Sequence, residues 1–139
     1  MPTSHLLAFS FSLSLICAAL LGSPPAEAGP RDGRDTCVRL FVRQRACTAE
    51  FIPALVEARV KADKPAGIAE TDRQQGRDKL VKQALEEWKS DSADAAIART
   101  CASLALPSPA LEQADACLAQ LDCAGFVKCV IPALSSTLH

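Results

Sequence analysis

Tyrosine is absent from the 139-residue chain, Trp and Met occur once each, and His occurs only twice. The two histidines are His5 and the terminal His139. Nucleophilic catalysis places Ser or Cys beside a base, usually His, and a base in the last position of a chain is poorly held. An excess of one charge sign is also missing: 15 basic residues face 16 acidic ones, a formal net charge of −1. That balance removes the electrostatic footprint of a nucleic-acid binder, and 4% aromatics leaves little for base stacking. No segment alternates with a period of two in β-branched or aromatic residues, so no strand is predicted. The phosphate loop GxxxxGK[ST], the dinucleotide loop GxGxxG and the acidic calcium loop are absent. So are C-x-x-C, C-x-x-C-H and the close Cys pairs of zinc sites, which argues against a redox dithiol, attached haem or structural zinc. The carboxylate pairs Glu86/Glu87 and Asp91/Asp94 read as a solvated helix face and as helix caps. The expectation is a protein that is not an enzyme and holds no cofactor or metal.

One long apolar run is present. Leu6 to Gly22 carries no charge, and Ser23-Pro24-Pro25 and Ala26-Glu27-Ala28 follow. Small residues at the first and third places before a cut are the A-x-A pattern of signal peptidase. The prediction is a cleaved signal peptide over 1–28 with Gly29 as the new first residue. Met1 to His5 lacks the usual Lys or Arg. An uncleaved anchor and lipidation at Cys17 are the alternatives; the run is at the short edge of a span, and Ile16 is too large for a lipid-attachment box. Residues 29–139 keep six Cys and are formally neutral, because Glu27 leaves with the signal. That length suits a single domain with a modest core.

The remainder reads as short helices. Residues 29–35 form a polar, disordered lead-in, and one helical domain covers 36–132. Thr36 would cap a first helix over about 37–46, carrying Cys37, Val38, Leu40, Phe41 and Val42. A second helix over about 49–63 buries Phe51, Ile52, Leu55, Val56 and Val60, with Pro53 in its first turn; one long helix kinked at Pro53 is the alternative. Residues 68–76 are ambiguous. The clearest periodicity is Leu80, Val81, Ala84, Leu85 and Trp88, which predicts an amphipathic helix over about 77–89. Ser90-Asp91-Ser92 would cap a helix over about 93–105. Ser108 and Pro109 would start one over about 109–121, with Leu111, Ala114, Leu118 and Leu121 on one face. Asp122 would cap a last helix over about 123–131 that Pro132 ends, leaving 133–139 frayed. The fold class is all-α, a small bundle of about five or six helices.

Cys37, Cys47, Cys101, Cys117, Cys123 and Cys129 are spaced C-x9-C, a long gap, then C-x15-C-x5-C-x5-C. An even number in an exported chain implies three disulfides. On a straight helix Cys37 and Cys47 would be about 15 Å apart, and a disulfide needs Cα atoms within about 7 Å, so bridges between helices are expected. Laying the first helix antiparallel to the last pairs Cys37 with Cys129 and Cys47 with Cys123, leaving Cys101 for Cys117.

The run from Cys117 through Cys123, Phe126 and Cys129 to Pro132, together with FIPALVEARV at 51–60, resembles segments of small, exported, cysteine-rich helical bacterial proteins without an assigned function. The resemblance spans most of 37–132. It implies export and a stapled helical fold, and it carries over no catalytic residue. C-x9-C is also similar to the helical-hairpin twin-C-x9-C proteins, but those have two such pairs and this chain has one.

Residues 29–64 are net basic and 101–139 net acidic. Arg39 and Arg43 are i, i+4 neighbours and Arg45 is close in sequence. Beside the reading of an ordinary solvated face, these three form a candidate docking patch for an acidic partner or an anionic surface. The functional expectation is an exported (periplasmic or secreted) protein acting by binding a protein or envelope component, or as a structural component of the envelope. The alternatives are a carrier of a small apolar ligand between helices and, less favoured, a secreted hydrolase. No nucleic-acid partner and no membrane span after processing are expected.

Overall fold

The chain keeps re-forming helices because its apolar residues recur at helical spacing between short breaks at Cys47, Asp63–Gly67, Gly76 and Ser92–Ala93. The structure, a computed structural model, describes residues 33–102 and 107–136. The predicted signal segment 1–28, most of the lead-in, Leu104, Ala105 and His139 lie outside the described residues. Those described form seven helices and no strand: α1 (Arg34–Ala46), α2 (Thr48–Ala62), α3 (Ile68–Gln75), α4 (Arg77–Asp91), α5 (Asp94–Cys101), α6 (Ser108–Leu118) and α7 (Cys123–Ser136). The class is all-α as expected, with one helix more than the upper expectation: residues 68–75, ambiguous by composition, are helical.

The breaks agree with expectation in part. α1 and α2 part at Cys47, as expected, and its carbonyl accepts from the Glu50 and Phe51 amides; Pro53, expected in the first turn of α2, is its sixth residue. Pro53 and Ala49, the residue whose carbonyl lacks an amide donor, are both exposed, so water can satisfy that carbonyl. Pro132 likewise does not end α7, which runs on to Ser136. Lys128 and Pro132 face solvent while Val130 is buried and Leu134 packs against the core. The predicted fraying from residue 133 is therefore corrected as far as Ser136. At the other end, Arg34 and Asp35 belong to α1, which starts after Gly33 and not at a Thr36 cap. α5 starts after Ala93 without a side-chain cap, because Ser92 turns inward and its Oγ donates to the Trp88 carbonyl at 2.7 Å. α6 ends at Leu118, and Leu121, expected on its apolar face, is 98% exposed. Asp122 does cap α7: its Oδ1 accepts from the Gly125 amide at 2.7 Å.

α2 lies centrally, packed on α4 and α7, and α3 bridges α2 and α4. α1 lies against α5 and α6, and α6 against α7. The core is aromatic at its centre. Trp88 stacks on Phe41 at 6.1 Å between ring centroids and tilts against Phe51 at 5.6 Å. Such pairs add about 0.5–1.5 kcal/mol each beyond area burial. Phe126, Ile52, Ile68, Leu80 and Val56 complete the interior.

The six cysteines form three bridges: Cys37–Cys101, Cys47–Cys123 and Cys117–Cys129, with Cα separations of 5.7, 5.3 and 5.3 Å. The Cys47–Cys123 pairing is as expected. The expected Cys37–Cys129 and Cys101–Cys117 are not formed. The physical reason is the neighbour of α1. It runs antiparallel to α5, with Arg45 on Asp94 at one end and Cys37 on Cys101 at the other. Cys117 and Cys129 then meet across the α6–α7 hairpin, whose turn at 119–122 folds α7 back on α6.

Candidate functional site

Where α1 gives way to α2, the end of α4 passes close by and turns into α5. A shallow, open recess of about 480 Å³ lies at this junction. Leu85 and Trp88 of α4, with Ala93, supply its apolar lining; Arg45, Glu86 and Lys89 stand at its rim, and Thr48 and Ser92 are its remaining polar members. Leu85 is half-buried, unlike the buried Leu80, Ala84 and Trp88 on the same helix. The periodicity therefore overstates Leu85 as an interior residue: it sits at the edge of the apolar arc, where the arc opens into the recess.

The recess is held from beneath by a short hydrogen-bond chain. The Trp88 indole Nε1 donates to Thr48 Oγ1 at 3.0 Å, and the Thr48 hydroxyl donates to the Arg45 carbonyl at 2.7 Å. Arg45 Nη1 donates to the Ser92 carbonyl at 2.9 Å and to Asp94 Oδ1 at 2.7 Å. Lys89 Nζ pairs with Glu86 at 2.8 Å. That pair holds the Glu86 carboxyl below the usual range, first through the Lys89 hydrogen bond. Two interior polar groups, Gln44 and Ser92, are buried; nothing in the composition of the α1 sequence marks Gln44 as one of them.

The three arginines of the candidate patch each reach a different part of the molecule. Arg39 lies 3.7 Å from Asp115 of α6 and 4.0 Å from Asp35. Arg43 is half-buried, and its Nη2 donates to the carbonyls of Gln120 and Leu121 at 3.2 and 3.0 Å, just past the C-terminus of α6. Its guanidinium also lies over the Phe126 ring, 5.8 Å from the centroid. Cations at helix C-termini are favoured by the aligned carbonyls. Arg45 holds the α4–α5 turn as described. Sequence spacing places Arg39 and Arg43 on one face, but only the fold shows that a carboxylate of α6 and the carbonyls just past its end meet them there.

Elsewhere, ionisable groups form local pairs. Arg77 holds the Asp72 carboxyl below the usual range through a hydrogen-bonded pair at 2.8 Å, and Glu70 is lowered by Arg73 and Gln74. Burial lowers the Arg59 guanidinium, an effect that Glu87 opposes across α2 and α4. Burial raises the Asp91 carboxyl. Among the described residues, no group of three His, Cys, Asp or Glu is placed to hold a metal ion, and no helix is long and apolar enough to cross a membrane. Comparisons with protein-family models, curated proteins and solved structures return no match for this chain.

Proposed function

We propose that the protein is an exported, non-enzymatic helical module that acts by binding a protein or envelope component, through the recess at the α1/α2 and α4/α5 junctions. Three disulfides between helices suit an oxidising compartment, in keeping with the A-x-A pattern behind the apolar run. The observation that carries the binding reading is the recess itself. It has an apolar lining of Leu85, Trp88 and Ala93, a rim of both charge signs, and a floor fixed by the Trp88–Thr48–Arg45 chain. Sites for small molecules enclose most of the ligand surface. An open recess suits an apolar side chain presented by a larger partner better than it suits a carried ligand.

The test is a photo-crosslinking residue placed at Lys89 in the source organism. A discrete crosslinked protein that disappears when Leu85→Lys is added, with the helical circular dichroism retained, supports the reading. Absence of any Leu85-dependent crosslink, with a lipid-mass adduct on the purified protein in native mass spectrometry, replaces it with the carrier.

A further inference from the structure

The three disulfides are not equivalent in access or in what they restrain. Cys37 and Cys101 are both fully buried. Each of the other bridges has one buried partner, Cys47 or Cys117, and one half-buried partner on α7, Cys123 or Cys129. A thiolate must reach a sulfur to open a bridge, so Cys37–Cys101 is protected for as long as the fold is intact. Cys47–Cys123 joins residues 76 apart and ties the α1–α2 junction to α7, the helix most extensively packed on α2. Cys117–Cys129 joins residues only 12 apart, so opening it restores less chain freedom and disturbs less of the fold.

What that last bridge holds is α6. The buried residues of this helix are Ala110, Leu111, Ala114 and Cys117. Only Cys117 belongs to the main core cluster, with Leu118 packed against it; Ala110, Leu111 and Ala114 lie outside that cluster. Two alanines and one leucine bury little apolar area. By contrast, Phe126, Val127 and Val130 of α7 all belong to the main core cluster, so α7 has apolar anchors besides its bridge.

We infer that Cys117–Cys129 is a reducible latch whose opening by an external dithiol releases α6 from α1 and α7 while the rest of the bundle stays folded. The first thiolate of the dithiol attacks the half-buried Cys129 sulfur, and Cys117 leaves as a thiolate that takes up a proton. The second dithiol sulfur then attacks the mixed disulfide, and Cys129 leaves and is protonated. The dithiol is oxidised to its disulfide by two electrons, and the protein cystine is reduced to two thiols. Release of α6 separates Arg39 from Asp115 and uncovers the surfaces of α1 and α7 that α6 covers.

The test titrates the oxidised protein with dithiothreitol, traps thiols by alkylation and maps them by mass, alongside hydrogen exchange. The expected first labelled pair is Cys117 and Cys129, with α6 amides exchanging at least tenfold faster and those of α2, α4 and α7 unchanged. A Cys117→Ser/Cys129→Ser variant should show the same exchange pattern without reductant and keep the Trp88 fluorescence. Earlier labelling of another pair, opening of all six cysteines in one step, or unchanged α6 exchange after this pair has opened overturns the inference.

Discussion

The Trp88 indole nitrogen and the Thr48 hydroxyl are 3.0 Å apart, so the largest buried side chain has its one polar atom satisfied by the first residue of α2. The hydroxyl passes the interaction on to the Arg45 carbonyl at the end of α1. Thr48→Val keeps the shape and removes the acceptor that the buried indole N–H uses. The expected loss is about 1–3 kcal/mol, with Thr48→Ser close to the parent. Urea unfolding followed by Trp88 fluorescence measures both; equal stability of all three proteins contradicts the assignment.

Arg43 and Arg39 share a helix face but not an energetic role. Arg43→Met keeps the stem and removes the donor to the Gln120 and Leu121 carbonyls; a loss of about 1–2 kcal/mol is expected, as for hydrogen bonds made by charged groups. Arg39 makes exposed ion pairs, and Arg39→Ala should change stability by under about 0.5 kcal/mol. Charge reversal of both is therefore expected to weaken the fold, through Arg43. Denaturation of the two single variants at low and high salt decides the matter, since a similar, salt-sensitive loss for both would make Arg43 an ordinary surface charge.

Leu80 is fully buried, whereas Leu85 borders the recess. Leu80→Ala should lose about 2–5 kcal/mol. Leu85→Ala should lose only about 1 kcal/mol, the partial share of a side chain that is half in water. The same denaturation series compares them, and the prediction fails if Leu85→Ala matches Leu80→Ala.

Acid should unfold the protein in part through Asp72. Its carboxyl is held below the usual value by Arg77, so the pair contributes stability that is fully present above about pH 4. That stability is lost as pH falls through the lowered folded value. Asp72→Asn should flatten the acid limb of the stability curve. Asp91 has the opposite sign: burial raises it, so its ionisation opposes folding as pH rises through the raised value, and Asp91→Asn should stabilise at neutral pH. Stability measured from pH 2.5 to 8 reads both slopes; an unchanged acid limb in Asp72→Asn removes the first.

Helix identity was legible where apolar residues repeat strongly, as at Leu80, Ala84 and Trp88, or where a short polar residue precedes the helix, as at Asp122. The positions of the breaks were less so. Pro132 looks like a stop, yet a missing amide on the water-facing side of a well-packed helix can be accommodated, and only burial says which side that is. The cysteine spacing excluded pairing within a straight helix, and laying the first helix antiparallel to the last gave Cys47–Cys123 together with the incorrect Cys37–Cys129. It could not assign Cys37, because its partner depends on α5 being the antiparallel neighbour of α1. The recess was not legible: Thr48 and the Ser92–Ala93 turn belong to two segments far apart in the chain, and no local pattern announces that they meet. Leu85 carried the one usable signal, its place at the margin of the apolar arc.

The order of the cysteines along the chain also decides how the molecule bears load. If residues outside Cys37 and Cys129 are pulled apart, tension entering at Cys37 has two shortest covalent routes to Cys129. One crosses to Cys101 and follows the backbone to Cys117; the other follows α1 to Cys47, crosses to Cys123 and continues along α7. The two routes contain the same length of backbone, and residues 48–100 lie on neither. The aromatic centre around Phe51 and Trp88, and most of the recess, are thus mechanically shunted: while the bridges hold, a tug on the chain stretches the frame and leaves α2, α3 and α4 off the load path.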